Sequence, residues 1–209
     1  MSDAAVSPVH LGLPDDAEER ARAEVYGLLA QLYHAAPTPE LYDRLRMAAT
    51  EAPSAGGFLE SSWSALVAAA RRVPVGHVAD EFVTLFGGVG KPEVALNASW
   101  FLAGALNEKP LVALRDDLDA LGLERPVAVL ETEDHIAALC EVMSYLITGE
   151  DVSVSNLATQ QRFFNAHLRS WCERLCETIE QQPAADFYRA LAGFTRDFMA
   201  VEAQAFDLL

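Results

Sequence analysis

The sequence predicts an all-α protein, a compact single-domain bundle of roughly eight to ten helices. Three observations lead there. Apolar residues recur at spacings of three and four along nearly the whole chain, the period of a helix with one face turned inward. No stretch alternates apolar and polar residues as a half-buried strand does. Glycine and proline fall between the periodic stretches, where they end one helix and open the next. A length of 209 residues, 51% hydrophobic, suits one folded domain.

The elements follow in order. Residues 1–15 read as a loose tail broken by Pro8, Gly12 and Pro14, ahead of an all-helical domain over 16–209. From Ala17 onward Ala21, Val25, Leu28, Leu29 and Leu32 share a face, and that helix ends before Pro37. A short helix runs from Pro39 to Ala49, then a loop with Pro53, Gly56 and Gly57. Trp63, Leu66, Val67 and Ala70 mark the next helix. Val78, Phe82, Leu85 and Phe86 mark another, stopped at Gly87-Gly88, where a residue without Cβ can turn left-handed. After a loop over 87–98 come Trp100 to Leu106, then Leu111, Leu114, Leu118 and Leu121, closed by Gly122. Pro110 suits the first turn, which needs no N–H there.

The spacing then predicts a helix from Glu133 to Thr148, with Ile136, Leu139, Cys140, Met143 and Ile147 on one face and Gly149 as its stop. Residues 149–155 form a polar, hinge-like connector. One long helix carries Leu157, Phe164, Leu168, Trp171 and Leu175 toward Pro183, and a last one carries Phe187, Leu191, Phe194 and Phe198.

Charge narrows the function. Thirty-one acidic against fifteen basic residues leave −16, which repels phosphate backbones and argues against nucleic acid as a partner. The same surface attracts a basic segment, and it also serves solubility. Cys140, Cys172 and Cys176 form no disulfide framework and fit a reducing compartment. The N-terminus shows no basic region followed by an apolar one, and the longest apolar run, Ala65 to Ala70, is too short to insert into a bilayer. The expectation is a soluble, cytoplasmic protein.

The remaining candidates for chemistry are incomplete. Gly87-Gly88-Val89-Gly90-Lys91 fails as a phosphate loop, because Leu85 stands at its first glycine position and Pro92 where Ser or Thr binds magnesium. Cys172 and Cys176 share a helix face, but His167 lies off it and a tetrahedral set is not complete. Glu131, Glu133, Asp134 and Glu141 surround His135 without the repeated Glu-x-x-His of di-iron bundles. No cofactor, metal or catalytic residue is expected. A helical-bundle metalloenzyme using Asp134 and His135, or an acidic scaffold docking a basic partner, stays open as an alternative.

Asp134-His135 is the sharpest pair. Adjacent helical residues point about 100° apart, so both cannot lie on the apolar stripe. In a first turn Asp134 suits the helix dipole and caps free N–H groups. Alternatively it meets a cationic group on a partner, with His135 orienting the pair and titrating near neutrality.

Two segments carry a family resemblance: Glu81-Phe82-Val83-Thr84-Leu85-Phe86-Gly87, and Glu133-Asp134-His135-Ile136 leading to Leu139. Phe164-x-x-His167-Leu168-x-x-Trp171 and the stripe from Phe187 to Phe198 extend it over residues 20 to 207. Together they resemble the TorD/DmsD/NarJ family of molybdoenzyme maturation chaperones. The resemblance implies a non-catalytic, cytoplasmic chaperone. Its partner would be the apo form of a molybdopterin-dependent oxidoreductase, bound through a twin-arginine leader or N-terminal segment until cofactor insertion and export. It implies a peptide groove made by Phe82, Leu85, Phe86, Ser99, Trp100, Asp134 and His135, with Phe82 lining it and Leu85 and Phe86 beneath. It also implies homodimers through exchange about the 149–155 connector. The proline-aromatic pair of many relatives is missing after Pro92, although Ser99-Trp100 can stand for the Ser-x-aromatic element that follows. The stretch from Phe101 to Leu111 and on to Gly122-Leu123 looks most like members linked to formate dehydrogenase-type clients.

Overall fold

The computed structural model describes residues 14–50, 57, 59–87, 92–106, 109–124 and 131–209. Among them are ten helices and no strand: α1 (Pro14–His34), α2 (Pro39–Met47), α3 (Glu60–Arg72), α4 (Val75–Phe86), α5 (Ala98–Ala103), α6 (Lys109–Ala120), α7 (Ile136–Thr148), α8 (Leu157–His167), α9 (Cys172–Glu180) and α10 (Phe187–Asp207). The tail expected over 1–15 lies outside the described residues up to position 13, and α1 begins at Pro14.

α1 packs chiefly on α7, and α10 packs on α9, α3 and α4. The two groups meet along a seam between α1 and α10. Tyr26 stacks edge-on against Phe198 at 4.8 Å, Tyr33 Oη lies 3.0 Å from Thr195 Oγ1, and Tyr188 donates to the Leu32 carbonyl. An ion pair closes one end of the seam. Arg22 donates Nε and a terminal nitrogen to both oxygens of Glu202 at 2.7 and 2.8 Å. Tyr26 donates to Glu202 as well, and Arg22 reaches Gln160 on α8. With Glu202 only 2% exposed, these partners are what keep its charge tolerable inside the bundle.

Three expectations are corrected. Gly87 ends α4 in an extended conformation (φ −98°, ψ −162°), not a left-handed one, while Gly88 lies outside the described residues. Among the described residues the left-handed glycines are Gly104 and Gly122, which close α5 and follow α6. The single long helix after the connector is two helices, broken over 168–171 and joined where Trp171 Nε1 donates to the His167 carbonyl at 2.6 Å. The helix expected from Glu133 begins at Ile136. The 149–155 connector is a hydrogen-bonded turn: Asp151 Oδ1 accepts from the Ser153 amide and hydroxyl, and the Ser155 amide donates to the Asp151 carbonyl at 2.7 Å.

Glu81 performs a task its sequence position did not announce. It is 7% exposed, and its carboxylate accepts from the backbone N–H groups of Asp186, Phe187 and Tyr188 at 2.8, 3.1 and 2.8 Å. These are free donors at the N-terminus of α10, where a negative charge is favoured. Asp186, the residue placed to cap α10, makes no capping bond and pairs with Arg72 instead. α4 therefore supplies the cap for α10. Replacing Glu81 by Gln should cost about 1–3 kcal/mol, because it removes the charge and turns a donor toward donors. A urea melt checks this: the midpoint falls with an unchanged slope, and an unchanged midpoint would mean that α10 starts without help from α4.

Candidate functional site

The two segments singled out in the sequence meet through the loop between them. The Val94 amide donates to the Leu85 carbonyl at 2.9 Å, tying residues 92–97 to the end of α4. Asn97 and His135 then form an isolated antiparallel bridge, in which the Ala98 amide donates to Asp134 and the Ile136 amide to Leu96, each at 2.9 Å.

Asp134 holds this junction. Its Oδ2 accepts from the Ser99 amide at 2.8 Å, and its Oδ1 accepts from Asn97 Nδ2 at 3.2 Å and from the Thr132 hydroxyl. Asn97, placed to cap α5, makes no capping bond because its amide reaches Thr132 and Asp134. The carboxylate of Asp134 caps α5 in its stead. Burial raises the carboxyl pKa, but hydrogen bonds from Ser99, Thr132 and Asn97 outweigh it, and the net shift is downward. Asp134 is thus not in the first turn of α7. At 1% exposure its carboxylate is committed to this loop rather than presented to an incoming cation.

His135 is the N-cap of α7, its Nδ1 accepting from the Ala137 amide at 3.2 Å. Burial pushes its pKa down to about 4, helped by His34 nearby and opposed by Glu131 and Asp134. Titration near neutrality, expected from the residue type, is therefore absent at this position.

The other predicted site residues divide. Ser99 joins the Asp134 junction and is fully buried, its hydroxyl lacking a partner among the described residues. Trp100 is half-buried on α5. Leu85 is wholly buried in the core. Phe82 and Phe86 are half-buried and turn toward α10, with ring contacts to Tyr188 at 5.8 and 5.0 Å. They form an aromatic cluster with Tyr33, not a wall beside Asp134.

Two clefts flank the junction. One, about 260 Å³, has Leu118, Leu123, Ala138 and Val142 as apolar lining, with Glu124, Glu131, Glu133 and Glu141 around it and His34 and His135 at its sides. The other, about 170 Å³, lies among α5, α6 and α8 and includes Leu102, Leu114 and Asp134. α6 walls both. It is pinned by Arg115 donating to Glu133 at 2.9 Å and by His167 donating to Asp117 at 2.7 Å. Leu102, Leu106 and Val112 are exposed, at 42, 50 and 57%, and Leu102 lines the second cleft. Among the described residues no three His, Cys, Asp or Glu are grouped to hold a metal, and no helix is long and apolar enough to cross a membrane. Residues 88–91, which include most of the glycine-rich loop, lie outside the described residues.

Residues 56–177 match the family described as nitrate reductase delta subunit. The chain belongs to this family. The matched span contains the whole Asp134 junction, α4 and, except for His34, the lining of both clefts. The chaperone protein TorD of Aliivibrio salmonicida is 27% identical over 59% of this chain and 61% of its own length. TorD of Vibrio cholerae serotype O1 is 29% identical over 51% of each chain. The chain thus spans between half and two thirds of the length of these curated relatives. A crystal structure from Archaeoglobus fulgidus, described as a redox enzyme maturation protein, superimposes with a TM-score of 0.53 at 14% identity. It covers 97% of this chain and 99% of its own, which is a likeness of fold. Membership in the family and the all-α bundle are as the sequence resemblance implied.

A pH dependence follows. Between about 6.5 and 4 the unfolded chain protonates His135 while the folded chain does not, so folding stability falls as pH drops through that window. The contribution of Asp134, whose folded pKa is depressed, is present above its ordinary value of 3.8 and disappears only below it. Denaturant midpoints measured from pH 7 to pH 4 should decline, and His135→Gln should flatten that decline. An equally steep decline in the variant would assign it to other groups.

Proposed function

We propose that this protein is a chaperone for the apo form of a molybdopterin-dependent oxidoreductase. It binds the client's N-terminal segment, in particular a twin-arginine leader, and holds it in the cytoplasm while the cofactor is inserted before export. Membership in the family and the likeness to chaperones named TorD support the class of function. One observation supports the location. The rigid Asp134 junction opens on a cleft whose walls are apolar and whose surroundings carry four glutamates. A leader presents the complement, paired arginines ahead of an apolar stretch, and apolar clefts with charged rims are how helical or extended segments are taken up.

In this reading the roles shift from those expected. Asp134 is a positioning residue that fixes α5 and the turn before α7. The exposed Glu124 and Glu141 meet the arginines, while Leu118, Leu123 and Val142 receive apolar residues. The net charge of −16 speeds encounter with a basic segment.

Calorimetric titration with twin-arginine leader peptides, each beside a paired-lysine control, tests this. Saturable binding of a leader is expected, weakened by the lysine substitution and by raised salt. The double variant Glu124→Gln, Glu141→Gln should weaken it several-fold, on the order of 1 kcal/mol, at an unchanged melting temperature. Asp134→Asn should lower the melting temperature as well as the affinity. Failure of every leader to bind would remove the leader from the proposal. Binding unaffected by the glutamate changes would move the site elsewhere.

A further inference from the structure

Most arginines among the described residues are spoken for. Arg22, Arg46, Arg72, Arg115, Arg169 and Arg196 pair with carboxylates, and Arg71, Arg174 and Arg189 donate to backbone carbonyls. With acids outnumbering bases about two to one, a surface arginine here has carboxylates in ample supply. Arg162 on α8, Arg20 on α1 and Arg44 on α2 nevertheless make no hydrogen bond or ion pair among the described residues, and the last two share one surface. Both line one groove of about 690 Å³ between α1, α2, α3 and α7, a volume in the range of ligand and peptide sites. Leu28, Leu41 and Trp63 give the groove an apolar lining, and Glu24 is its one carboxylate.

A second observation concerns the bottom of the groove. Gly27 stands in the interior of α1, where glycine is the least favourable residue after proline. No close packing requires it: a Cβ built there has only Ser144 Oγ within reach, at 4.0 Å, an ordinary contact. The missing side chain leaves the groove bare at that point, at a cost to the helix that packing does not explain.

We infer that this groove docks a segment of a partner polypeptide that carries carboxylates on either side of an apolar side chain. The two guanidiniums take the carboxylates, and the leucines and Trp63 take the apolar residue. The occupant is opposite in charge to a leader, so this surface is separate from the Asp134 cleft and does not rest on the function proposed for it. At physiological ionic strength charges beyond about 8 Å are screened, and the local arginines then outweigh the acidity of the whole molecule.

The test uses the full chain at physiological salt. A fluorescein-labelled amphipathic peptide of Glu and Leu is titrated, with a Lys-for-Glu peptide as comparator and inorganic phosphate as competitor. Saturable binding of the acidic peptide is expected. The double variant Arg20→Glu, Arg44→Glu should weaken it about tenfold or more at an unchanged melting temperature. Gly27→Gln should weaken it as much by filling the groove, while Gly27→Ala should keep the affinity and raise the melting temperature. Leader binding should be the same in all these variants. The inference is overturned by absence of saturable binding, by equal binding of the lysine peptide, by indifference to the arginine reversals, or by displacement with phosphate, which would make the groove a simple anion site.

Discussion

A carboxylate removed from water has to be met by donors, and at two helix N-termini this bundle uses that constraint to join elements far apart in sequence. Glu81 satisfies its charge on three amides at the start of α10, and Asp134 does so on the amide of Ser99 and the side chains of Asn97 and Thr132. In each case a helix N-terminus with unmet N–H groups receives its cap from another element, because its own cap residue points elsewhere. A carboxylate and a helix end each tolerate burial poorly, and brought together each removes the other's penalty. The position of α4 against α10, and of the turn before α7 against α5, follows from that pairing.

The candidate site inherits its geometry from the second of these caps. The Asp134 carboxylate joins α5 to the turn at 131–135 together with the backbone bridge at Asn97 and His135 and the Asn97 contact to Thr132. α6 is held against them by its buried leucines, Leu111, Leu114 and Leu118, and by two links, Arg115 to Glu133 and His167 to Asp117. Each link has one partner about half exposed, Arg115 and Asp117, so the buried leucines and the cap beneath do more to hold α6 than the ion pairs.

Much of the fold was legible because helical periodicity survives translation into structure. Leu29, Leu85, Leu139, Leu175 and Leu191, one on each of five stripes, are all fully buried. The break at 168–171 was not legible, because Leu168, Trp171 and Leu175 keep helical phase across it and only the non-helical backbone of Trp171 betrays the turn. The Asp134-His135 pair was visible as a motif, but its depth was not: spacing assigns it to the first turn of a helix, while its partners lie 35 residues upstream. Glu81 and Glu202 did leave a signal. Glu81 falls between Val78 and Leu85, and Glu202 between Phe198 and Phe206, each three or four positions from its neighbours on an apolar stripe. An acid on a buried face announces a buried partner, yet nothing in one sequence says that the partner is a helix end or Arg22. Nor did spacing separate Phe82 and Phe86 from the Asp134 side of the chain; that division comes from Tyr188 on α10.

The three cysteines carry a practical consequence. Cys140, Cys172 and Cys176 are unpaired and buried, and desolvation pushes all three thiols up, Cys176 to about 12. Thiolate is the reactive form, so the native molecule presents almost none of it to an electrophile. A cysteine introduced on the surface would then be alkylated alone, and a probe attached there would report on one chosen position with the natural thiols left in place. By the same token, the slow appearance of reactivity at the three native sulfurs would time the opening of the bundle itself.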